Sequence, residues 1–231
     1  MPIFDARLLP LDTDITQLQN DLQICLKYNW PAHYNTNDYS GNWNSIALYS
    51  TTGSETDVLA LPDAAFKPTP ALSACNYFSQ LLHSLEFEKE AVRLLQLEAG
   101  SIVRTHRDRG LAYRFGSFRL HIPIITDAEV EFEVNNALLD MQPGTCWYAD
   151  FDKPHSVTNK SSLHRVHLVI DGKRNSWTDA WFARSGYDFA EEAEALKPDE
   201  QTQQRIIEEL ERMGGTTAQQ LLGNFRSSGK K

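Results

Sequence analysis

The feature of this sequence that most constrains its fold is a series of short strand patterns between about residue 90 and residue 170. Most of these segments are rich in β-branched or aromatic residues, and Gly, Pro, Asn or Asp separates most of them from the next. The segments are 92–97, 102–106, 118–125, 130–134, 146–148, 156–159 and 163–170. Several short strands at such regular intervals indicate a β-sandwich or a β-barrel.

Helical patterns flank this β-rich region on both sides. Residues 13–29 and 72–85 have apolar side chains at helical spacing, and residues 43–49 between them have the pattern of a strand. After Asp171 the sequence becomes acidic and helix-forming, and Asp199 is a candidate helix cap. The helices predicted in this last part are 177–183, 188–195, 199–213 and 217–225.

The length of the chain and the change of pattern after Asp171 predict two parts. A chain of 231 residues suits one domain with a sizeable core and a small addition. We therefore expect a mainly β domain over residues 1–175, built as a double-sheet jelly roll with the N-terminal helices packed on one side. A small C-terminal helical appendage is expected over residues 176–231.

The composition argues against several classes of protein. The formal net charge is -9 and the sequence pI is about 5.2, so the surface repels phosphate backbones and nucleic-acid binding is not expected. No segment approaches ~20 consecutive apolar residues, and the first residues lack the pattern of a signal peptide. Cys25, Cys75 and Cys146 are far apart, which fits a reducing compartment. We expect a cytoplasmic protein without a membrane span.

The residues with the clearest chemistry are His106, Asp108 and His155. His106 and Asp108 lie at the end of a strand pattern, where residues two apart point to the same face. His155 lies beyond a later strand and loop, so it is the best candidate for a third ligand. Two histidines and one carboxylate on one face of a metal are the ligand set of non-haem Fe(II) oxygenases. A His-x-Asp pair alone is a weak signal, because such pairs also occur as purely structural features.

Two Arg-x-His strands add cationic groups to an otherwise apolar setting. Arg119-Leu120-His121 and Arg165-Val166-His167 each place Arg and His on one face and aliphatic side chains on the other. A buried arginine needs a partner, because an unpaired buried charge is costly. A dicarboxylate ligand would supply that partner. Pairing with Asp or Glu of the protein, or extension of the side chain to the surface, remains an alternative.

Taken together, these residues resemble the aspartyl/asparaginyl β-hydroxylase family, including its bacterial cis-proline-hydroxylase-type relatives. The resemblance covers roughly residues 20 to 180 with the motifs in the same order, and such an ordered set is far more specific than one triplet. The matching stretches are Trp43–Tyr49, Arg93–Asp108, Arg119-Leu-His121-Ile-Pro-Ile, Gly144–Asp150, His155–Asn159 and Arg165–Asp171.

The resemblance implies a double-stranded β-helix fold with Fe(II) and 2-oxoglutarate as cofactors, and ascorbate as a reductant in vitro. His106 and His155 match the family's metal histidines. Asp108 matches the carboxylate of the amino-acid-hydroxylase branch, whereas the protein-hydroxylating branch has glycine there. These three residues are therefore the expected catalytic metal ligands.

The resemblance also implies a set of co-substrate residues. Arg165 matches the arginine that pairs with the distal carboxylate of 2-oxoglutarate. Arg119 and His121 match the family's other co-substrate-contacting pair. Arg93 lies in a matching strand and is expected to hold either 2-oxoglutarate or a substrate carboxylate.

Three functions follow from these expectations. The first is a dioxygenase that hydroxylates a C–H bond of an amino acid or small peptide-like substrate, consumes O₂, and releases succinate and CO₂. The second is a hydroxylase of Asp or Asn side chains in a protein. The third is a cupin-like binding module without turnover. His33, Tyr34 and Trp43 are interpreted either as part of a substrate mouth or as ordinary loop packing.

Overall fold

The computed structural model describes residues 5–59 and 64–228. The strands are β1 Ala6–Leu9, β2 Tyr39–Ser40, β3 Trp43–Ser50, β4 Lys67–Pro68, β5 Lys89–Leu97, β6 Ile102–His106, β7 Ser117–Ile125, β8 Val130–Val134, β9 Ala137–Leu138, β10 Cys146–Ala149, β11 His155–Asn159 and β12 Arg165–Lys173. The helices are α1 Ile15–Cys25, α2 Pro70–Ser73, α3 Asn76–Ser84, α4 Ser176–Arg184, α5 Phe189–Ala195, α6 Glu200–Met213 and α7 Gly215–Ser228. Short 3-10 helices cover Thr36–Asp38 and Tyr113–Phe115.

The strands form two antiparallel sheets, as predicted for a jelly roll. The larger sheet has the order β1-β10-β7-β12-β5-β3-β4, and the smaller has the order β2-β6-β11-β8-β9. Apolar side chains from both sheets form one buried cluster, which includes Leu95 and Val169 of the larger sheet and Phe132, Val134 and Val157 of the smaller one. The two sheets therefore pack face to face around a common core.

The register of the strands decides which inward-facing residues become neighbours. Strand β12 lies between β5 and β7, and it pairs Val169 with both Arg93 and His121. The next inward position of β12, Asp171, pairs with Arg119. In the smaller sheet, His155 of β11 pairs with His106 of β6. Both sheets thus place their polar inward residues toward the same end of the core.

The N-terminal helices form where the sequence predicted them, but with a break. Asp14 caps α1 by accepting the backbone N–H groups of Thr16 and Gln17. The predicted helix 72–85 is divided into α2 and α3, and Cys75 between them has an extended backbone. The Asp21 carboxylate of α1 accepts the Phe78 backbone N–H at 2.8 Å. No local side chain caps α3, so this carboxylate of α1 supplies the acceptor for a backbone N–H in the first turn of α3.

The C-terminal part of the chain divides at a different place from the one predicted. Two compact units are present, Met1–Asp188 and Phe189–Lys231, so α4 belongs to the first unit and not to the appendage. Trp181 and Phe182 of α4 are buried, and the Phe182 ring stacks on Tyr113 with centroids 3.7 Å apart. The second unit contains α5, α6 and α7.

Two further sequence predictions concern the helices and the cysteines. Asp199 caps α6 by accepting the Thr202 backbone N–H at 2.6 Å, as predicted. All three cysteines are buried and free, with Cys25 Sγ and Cys75 Sγ 3.5 Å apart. Across residues 5–59 and 64–228, every helix is too short or too polar to cross a membrane.

Candidate metal centre and co-substrate pocket

The structure brings His106, Asp108 and His155 together as the sequence predicted. His106 is the last residue of β6 and His155 is the first of β11, and the two are direct cross-strand partners. The chain leaves β6 and is held there by the Asp108 backbone N–H, which donates to the Phe151 carbonyl at 2.9 Å. One potential ligand atom from each of the three side chains lies within 4.8 Å of the others. This spacing could hold one metal ion.

Hydrogen bonds to the backbone orient both histidines. His106 Nδ1 lies 2.7 Å from the Arg104 carbonyl, and His155 Nδ1 lies 3.0 Å from the Lys153 carbonyl. Because a carbonyl only accepts, Nδ1 carries the proton in each ring and Nε2 keeps its lone pair for a metal. Burial lowers the pKa of His155 to about 4, so this ring is neutral at physiological pH.

The carboxyl group of Asp108, the acidic member of the candidate ligand cluster, is kept ionised by Arg119. Burial alone would raise the pKa of Asp108, but Arg119, His155 and His106 together bring it below its ordinary value. Arg119 Nη1 donates to Asp108 Oδ2 at 2.5 Å. The other oxygen, Oδ1, is 3.9 Å from His106 Nε2. Asp108 therefore has one oxygen engaged by arginine and one directed toward the candidate ligand cluster.

A buried carboxylate that the sequence analysis did not single out anchors this arginine. Asp171 accepts from Arg119 Nε at 2.6 Å and from Arg119 Nη2 at 3.0 Å. Arg93 Nη2 donates to the same carboxylate at 2.5 Å. Asp171 thus bridges Arg93 and Arg119, and Arg119 in turn donates to Asp108. The signal available in the sequence was a single Asp directly after the apolar strand pattern 163–170, whereas its pairing with Arg119 is seen only in the structure.

Arg119 and Arg165 come from similar motifs but have different surroundings. The hydrogen-bonding nitrogens of Arg119 are occupied by Asp108 and Asp171. This matches the alternative of pairing within the protein, and the expected contact of Arg119 with a co-substrate stays a prediction. Arg93 has a second contact, from Nη1 to the Val58 carbonyl at 3.3 Å, while its Nε is buried without a partner.

Arg165 is a buried cation that forms no ion pair with any residue in the described ranges. It is 3% exposed, its Nη2 lies 2.7 Å from His167 Nδ1, and its Nε is buried without a hydrogen bond. Its guanidinium carbon lies 5.4 Å from the centroid of the Phe132 ring. Burial lowers the pKa of Arg165 to about 9, which still leaves the group charged at physiological pH. A buried charge without a counter-charge is costly, so an anionic ligand would stabilise it.

Two neutral histidines complete the polar wall beside Arg165. His121 Nδ1 and His167 Nδ1 lie 3.3 Å apart, and the Nε2 atom of each ring is buried without a partner. Burial holds the pKa of both rings well below the ordinary value, and Arg165 adds to this effect. The His121 ring stacks on Phe151. Because arginine only donates, His167 Nδ1 accepts from Arg165, so the two rings hold the guanidinium in place without adding positive charge.

One cavity connects the candidate metal ligands with Arg93, Arg119, His121 and Arg165, and we call it the inner chamber. It has a volume of about 70 Å³ and is lined by His106, Asp108, His155, Arg93, Arg119, His121 and Arg165, among others. His33, Tyr34 and Trp43 also line it, and the His33 ring stacks between the other two rings. The Trp43 indole nitrogen is buried without a hydrogen bond. The structure therefore brings all seven predicted site residues, and the predicted mouth residues, to one chamber.

Comparison with known proteins identifies a family and a relative of this chain. The sequence profile described as Aspartyl/Asparaginyl beta-hydroxylase matches residues 12–175. The chain is 24% identical over 173 residues to an L-proline cis-4-hydroxylase of Rhizobium meliloti (strain 1021), a match that covers 73% of this chain and 60% of that relative's length.

A solved structure shows the same fold. A crystal structure described as an oxidoreductase of the 2OG-Fe(II) oxygenase family, from Burkholderia pseudomallei, superposes with a TM-score of 0.51 at 11% identity. The superposition covers 74% of this chain and 86% of the other. With two facing antiparallel sheets, the fold is the expected double-stranded β-helix. The profile match spans most of the chain, and the chain therefore belongs to the aspartyl/asparaginyl β-hydroxylase family.

Proposed function

We propose that this protein is an Fe(II)- and 2-oxoglutarate-dependent dioxygenase that hydroxylates a C–H bond of an amino acid or small peptide-like substrate. The observation that carries the proposal is the meeting of two features in the inner chamber. One is a His-Asp-His cluster with its ligand atoms within 4.8 Å of one another, and the other is Arg165, a buried cation without a carboxylate partner in the described part of the chain.

The donor set fits Fe(II). Two imidazole nitrogens from His106 and His155 and one carboxylate oxygen from Asp108 would form the facial ligand set of non-haem iron oxygenases, which leaves other positions on the metal open. The carbonyl contacts of both histidines fix the nitrogen that remains available. The fixed charge of Asp108 favours retention of a divalent cation.

The wall beside the cluster fits 2-oxoglutarate. Arg165 can bind a carboxylate through two parallel hydrogen bonds, which would also supply the missing counter-charge of its buried guanidinium. His121 lies in the same wall, and His167 supports Arg165 from behind it through the contact of its Nδ1 with Arg165 Nη2. The Arg165 Nε–H, which is buried without a hydrogen bond in the protein alone, is a donor that a carboxylate would satisfy.

Bound Fe(II) and 2-oxoglutarate together supply the oxidising power of the reaction, in which R–H, 2-oxoglutarate and O₂ give R–OH, succinate and CO₂. The protein holds the ligands and keeps the chamber dry. Phe132 and Phe151 line the chamber, so they exclude water from the reacting atoms. Arg119 keeps Asp108 ionised and in place.

The presence of Asp108 supports an amino-acid or small-peptide substrate over a protein side chain, because the protein-hydroxylating branch is expected to have glycine there. The similarity to an L-proline cis-4-hydroxylase supports the same class. A binding module without turnover would not need an intact ligand set beside an unpaired buried arginine, so the site also favours an enzyme.

The experiment that tests the proposal measures succinate. Anaerobically purified protein is given Fe(II), 2-oxoglutarate, ascorbate and O₂, with and without a panel of free L-amino acids. We expect succinate formation that an amino acid stimulates, with one hydroxylated product for each succinate formed. Iron binding without any succinate, coupled or uncoupled, would favour the binding module.

Variants at the metal ligands provide the control for this assay. His106→Ala and His155→Ala should each abolish turnover and weaken iron binding, because each removes one of three ligands. His83→Ala is the matched control, since His83 is exposed on α3 and lines none of the chambers described for this protein. Near-wild-type turnover in either ligand variant would contradict the metal assignment.

A further inference from the structure

A second cavity, which we call the outer chamber, opens beside the inner chamber. It has a volume of about 430 Å³, compared with about 70 Å³ for the inner chamber. The two chambers share four wall residues, which are Tyr34, Arg93, Asp108 and Arg119. A molecule in the outer chamber could therefore touch Asp108, a candidate metal ligand, and three further residues that also line the inner chamber. The inner chamber alone has little room for a substrate in addition to a co-substrate.

Two elements bring further charged groups to the outer chamber. Glu90 lies near the start of β5, and Arg109 lies in the loop that follows Asp108. Ser117, the first residue of β7, lines the same cavity and hydrogen bonds to the Glu90 carboxyl. Neither Glu90 nor Arg109 belongs to the set of residues assigned above to metal or 2-oxoglutarate.

The charges in the outer chamber separate into a network of ion pairs and two residues, Glu90 and Arg109, that form no ion pair in the described part of the chain. Asp171, Arg93 and Arg119 form one network, and Arg119 also engages Asp108. Glu90 and Arg109 form no ion pair within 4 Å with any residue of 5–59 or 64–228. They have opposite signs and they line one cavity, which is the arrangement that a zwitterion would complement.

We propose that the outer chamber is the subsite for the charged backbone of a free amino-acid substrate, with its α-carboxylate at Arg109 and its α-ammonium or imino group at Glu90. The inference rests on the proposed function and adds the recognition of the substrate to it. In this arrangement the side chain of the substrate extends past Tyr34 toward His106, Asp108 and His155, which border the shared wall.

The chemistry of the two residues agrees with this assignment. An arginine can bind a carboxylate through two parallel hydrogen bonds, and these are stronger than neutral ones. Glu90 is half-buried, and burial raises the pKa of its carboxyl, so its ionised form gains from a cationic partner. A substrate with a blocked amine or a blocked carboxyl would leave one of these groups without its partner.

The test uses two pairs of matched variants of the 231-residue chain. Arg109→Ala is compared with Arg107→Ala, since Arg107 is also exposed but lines neither chamber. Glu90→Gln is compared with Glu88→Gln, because Glu88 is exposed and pairs with Lys173 outside the chamber. Amino-acid-stimulated succinate formation is measured for each, over a panel of free L-amino acids, their carboxamides and their N-acetyl derivatives.

We expect Arg109→Ala and Glu90→Gln each to raise the KM for the stimulating amino acid at least 10-fold, with a smaller effect on kcat. Arg107→Ala and Glu88→Gln should stay within 2-fold of wild type. Arg109→Ala should also lose the preference for the free acid over the carboxamide, and Arg109→Lys should restore part of it. A role in stability alone would not change this preference.

Two outcomes would overturn the inference. One is an equal KM for Arg109→Ala and Arg107→Ala together with an equal KM for the two glutamate variants. The other is stimulation of the wild-type protein only by N-acetyl or carboxamide derivatives, which would assign the substrate to a peptide-like class without a free zwitterion. Failure of the proposed function is recognised separately, because the wild-type protein would then bind no Fe(II) or form no succinate at all.

Discussion

At the scale of single residues, Arg165 shows how the site departs from what stability alone would favour. Its guanidinium is buried, stays charged at physiological pH, and contacts the neutral ring of His167 and the aromatic ring of Phe132. Removing such a charge from water costs free energy that no carboxylate in the described ranges offsets. The protein without ligands therefore carries a cost that a bound dicarboxylate would remove.

This leads to a prediction for Arg165→Met. Methionine keeps a long, unbranched side chain and removes the buried charge, so the variant without ligands should be more stable than wild type by about 1 kcal/mol or more. For a domain of this size that corresponds to a rise in Tm of roughly 2–4 °C. Calorimetry should show that 2-oxoglutarate with Fe(II) stabilises wild type but not the variant.

The control for that prediction is Arg184→Met, at an exposed arginine of α4. It should leave the stabilisation by 2-oxoglutarate unchanged. If Arg165→Met lowered the Tm of the ligand-free protein and kept the stabilisation by 2-oxoglutarate, both the cost of the buried charge and its role in binding the co-substrate would be wrong.

A second prediction at this scale concerns Asp171→Asn. Asparagine keeps the size of the side chain but removes the negative charge that holds Arg119 and Arg93, so Arg119 should hold Asp108 less firmly. Loss of a residue that orients a metal ligand typically weakens metal binding about 10- to 100-fold. An anaerobic titration with Co(II), followed by its visible absorption bands, measures the affinity and the ligand geometry together.

Asp21→Asn is the comparison for Asp171→Asn. Asp21 is also a buried carboxylate, but it accepts the Phe78 backbone N–H in the helical layer. Both variants should lose stability, whereas only Asp171→Asn should change the Co(II) affinity and spectrum. Equal Co(II) affinity in the two variants would show that Asp171 serves the fold alone.

The contrast between Arg119 and Arg165 also shows which residue contacts could be predicted from the sequence and which could not. Both arginines lie in Arg-x-His motifs on inward faces, and the sequence left an internal carboxylate or a ligand open as partner for each. The partner depends on which residue lies across the sheet, and the register of β12 places Asp171 opposite Arg119. Register was not readable from the motifs, whereas the convergence of His106, Asp108 and His155 followed from the motif order.

At the scale of elements, the end of β12 is a place where packing restricts the sequence. The register shifts between Asp171 and Gly172, and a Cβ atom at Gly172 would overlap the ring of Phe87. Phe87 is buried and meets Phe118 edge to face, with ring centroids 5.0 Å apart, so it has little room to move. A side chain at position 172 would therefore disturb the strand that carries Asp171.

Gly172→Ala should lower the free energy of unfolding by about 1–3 kcal/mol, because overpacking forces neighbouring atoms out of their places. Urea denaturation measures this change. The effect should be relieved in part by a smaller neighbour, so Phe87→Leu/Gly172→Ala should be less destabilised than the sum of the two single variants. An additive double variant would mean that the alanine does not meet Phe87.

The elements themselves were largely predictable where the pattern is local. Strands such as β6 and β8 and the cap of α6 have the bounds that the sequence indicated, because their signals lie in adjacent residues. The break between α2 and α3 was missed, since the contact that satisfies the start of α3 comes from Asp21, far along the chain. Strand β1 was missed because a four-residue edge strand has too short a pattern.

At the scale of the whole molecule, the boundary of the unit that carries the candidate site differs between the family match and the structure. The family match stops at residue 175, which is also where the sequence analysis placed the boundary. The compact unit nevertheless continues to Asp188 and includes α4. Phe182 of this helix stacks on Tyr113, and the Trp181 indole N–H donates to the Pro10 carbonyl at 2.9 Å. Helix α4 therefore covers part of the core of the first unit.

These contacts predict different outcomes for two truncated chains. A chain that ends after Asp188 should fold cooperatively and bind Fe(II) and 2-oxoglutarate with wild-type affinity, because it keeps the whole first unit. A chain that ends after Asn175 would expose the aromatic cluster around Tyr113 and lose the two large buried side chains of α4, each worth about 3–5 kcal/mol in a core. It should aggregate or remain unfolded. Near-ultraviolet circular dichroism and ligand-induced shifts in Tm distinguish the two, and a folded, ligand-binding 1–175 chain would place the boundary at residue 175 after all.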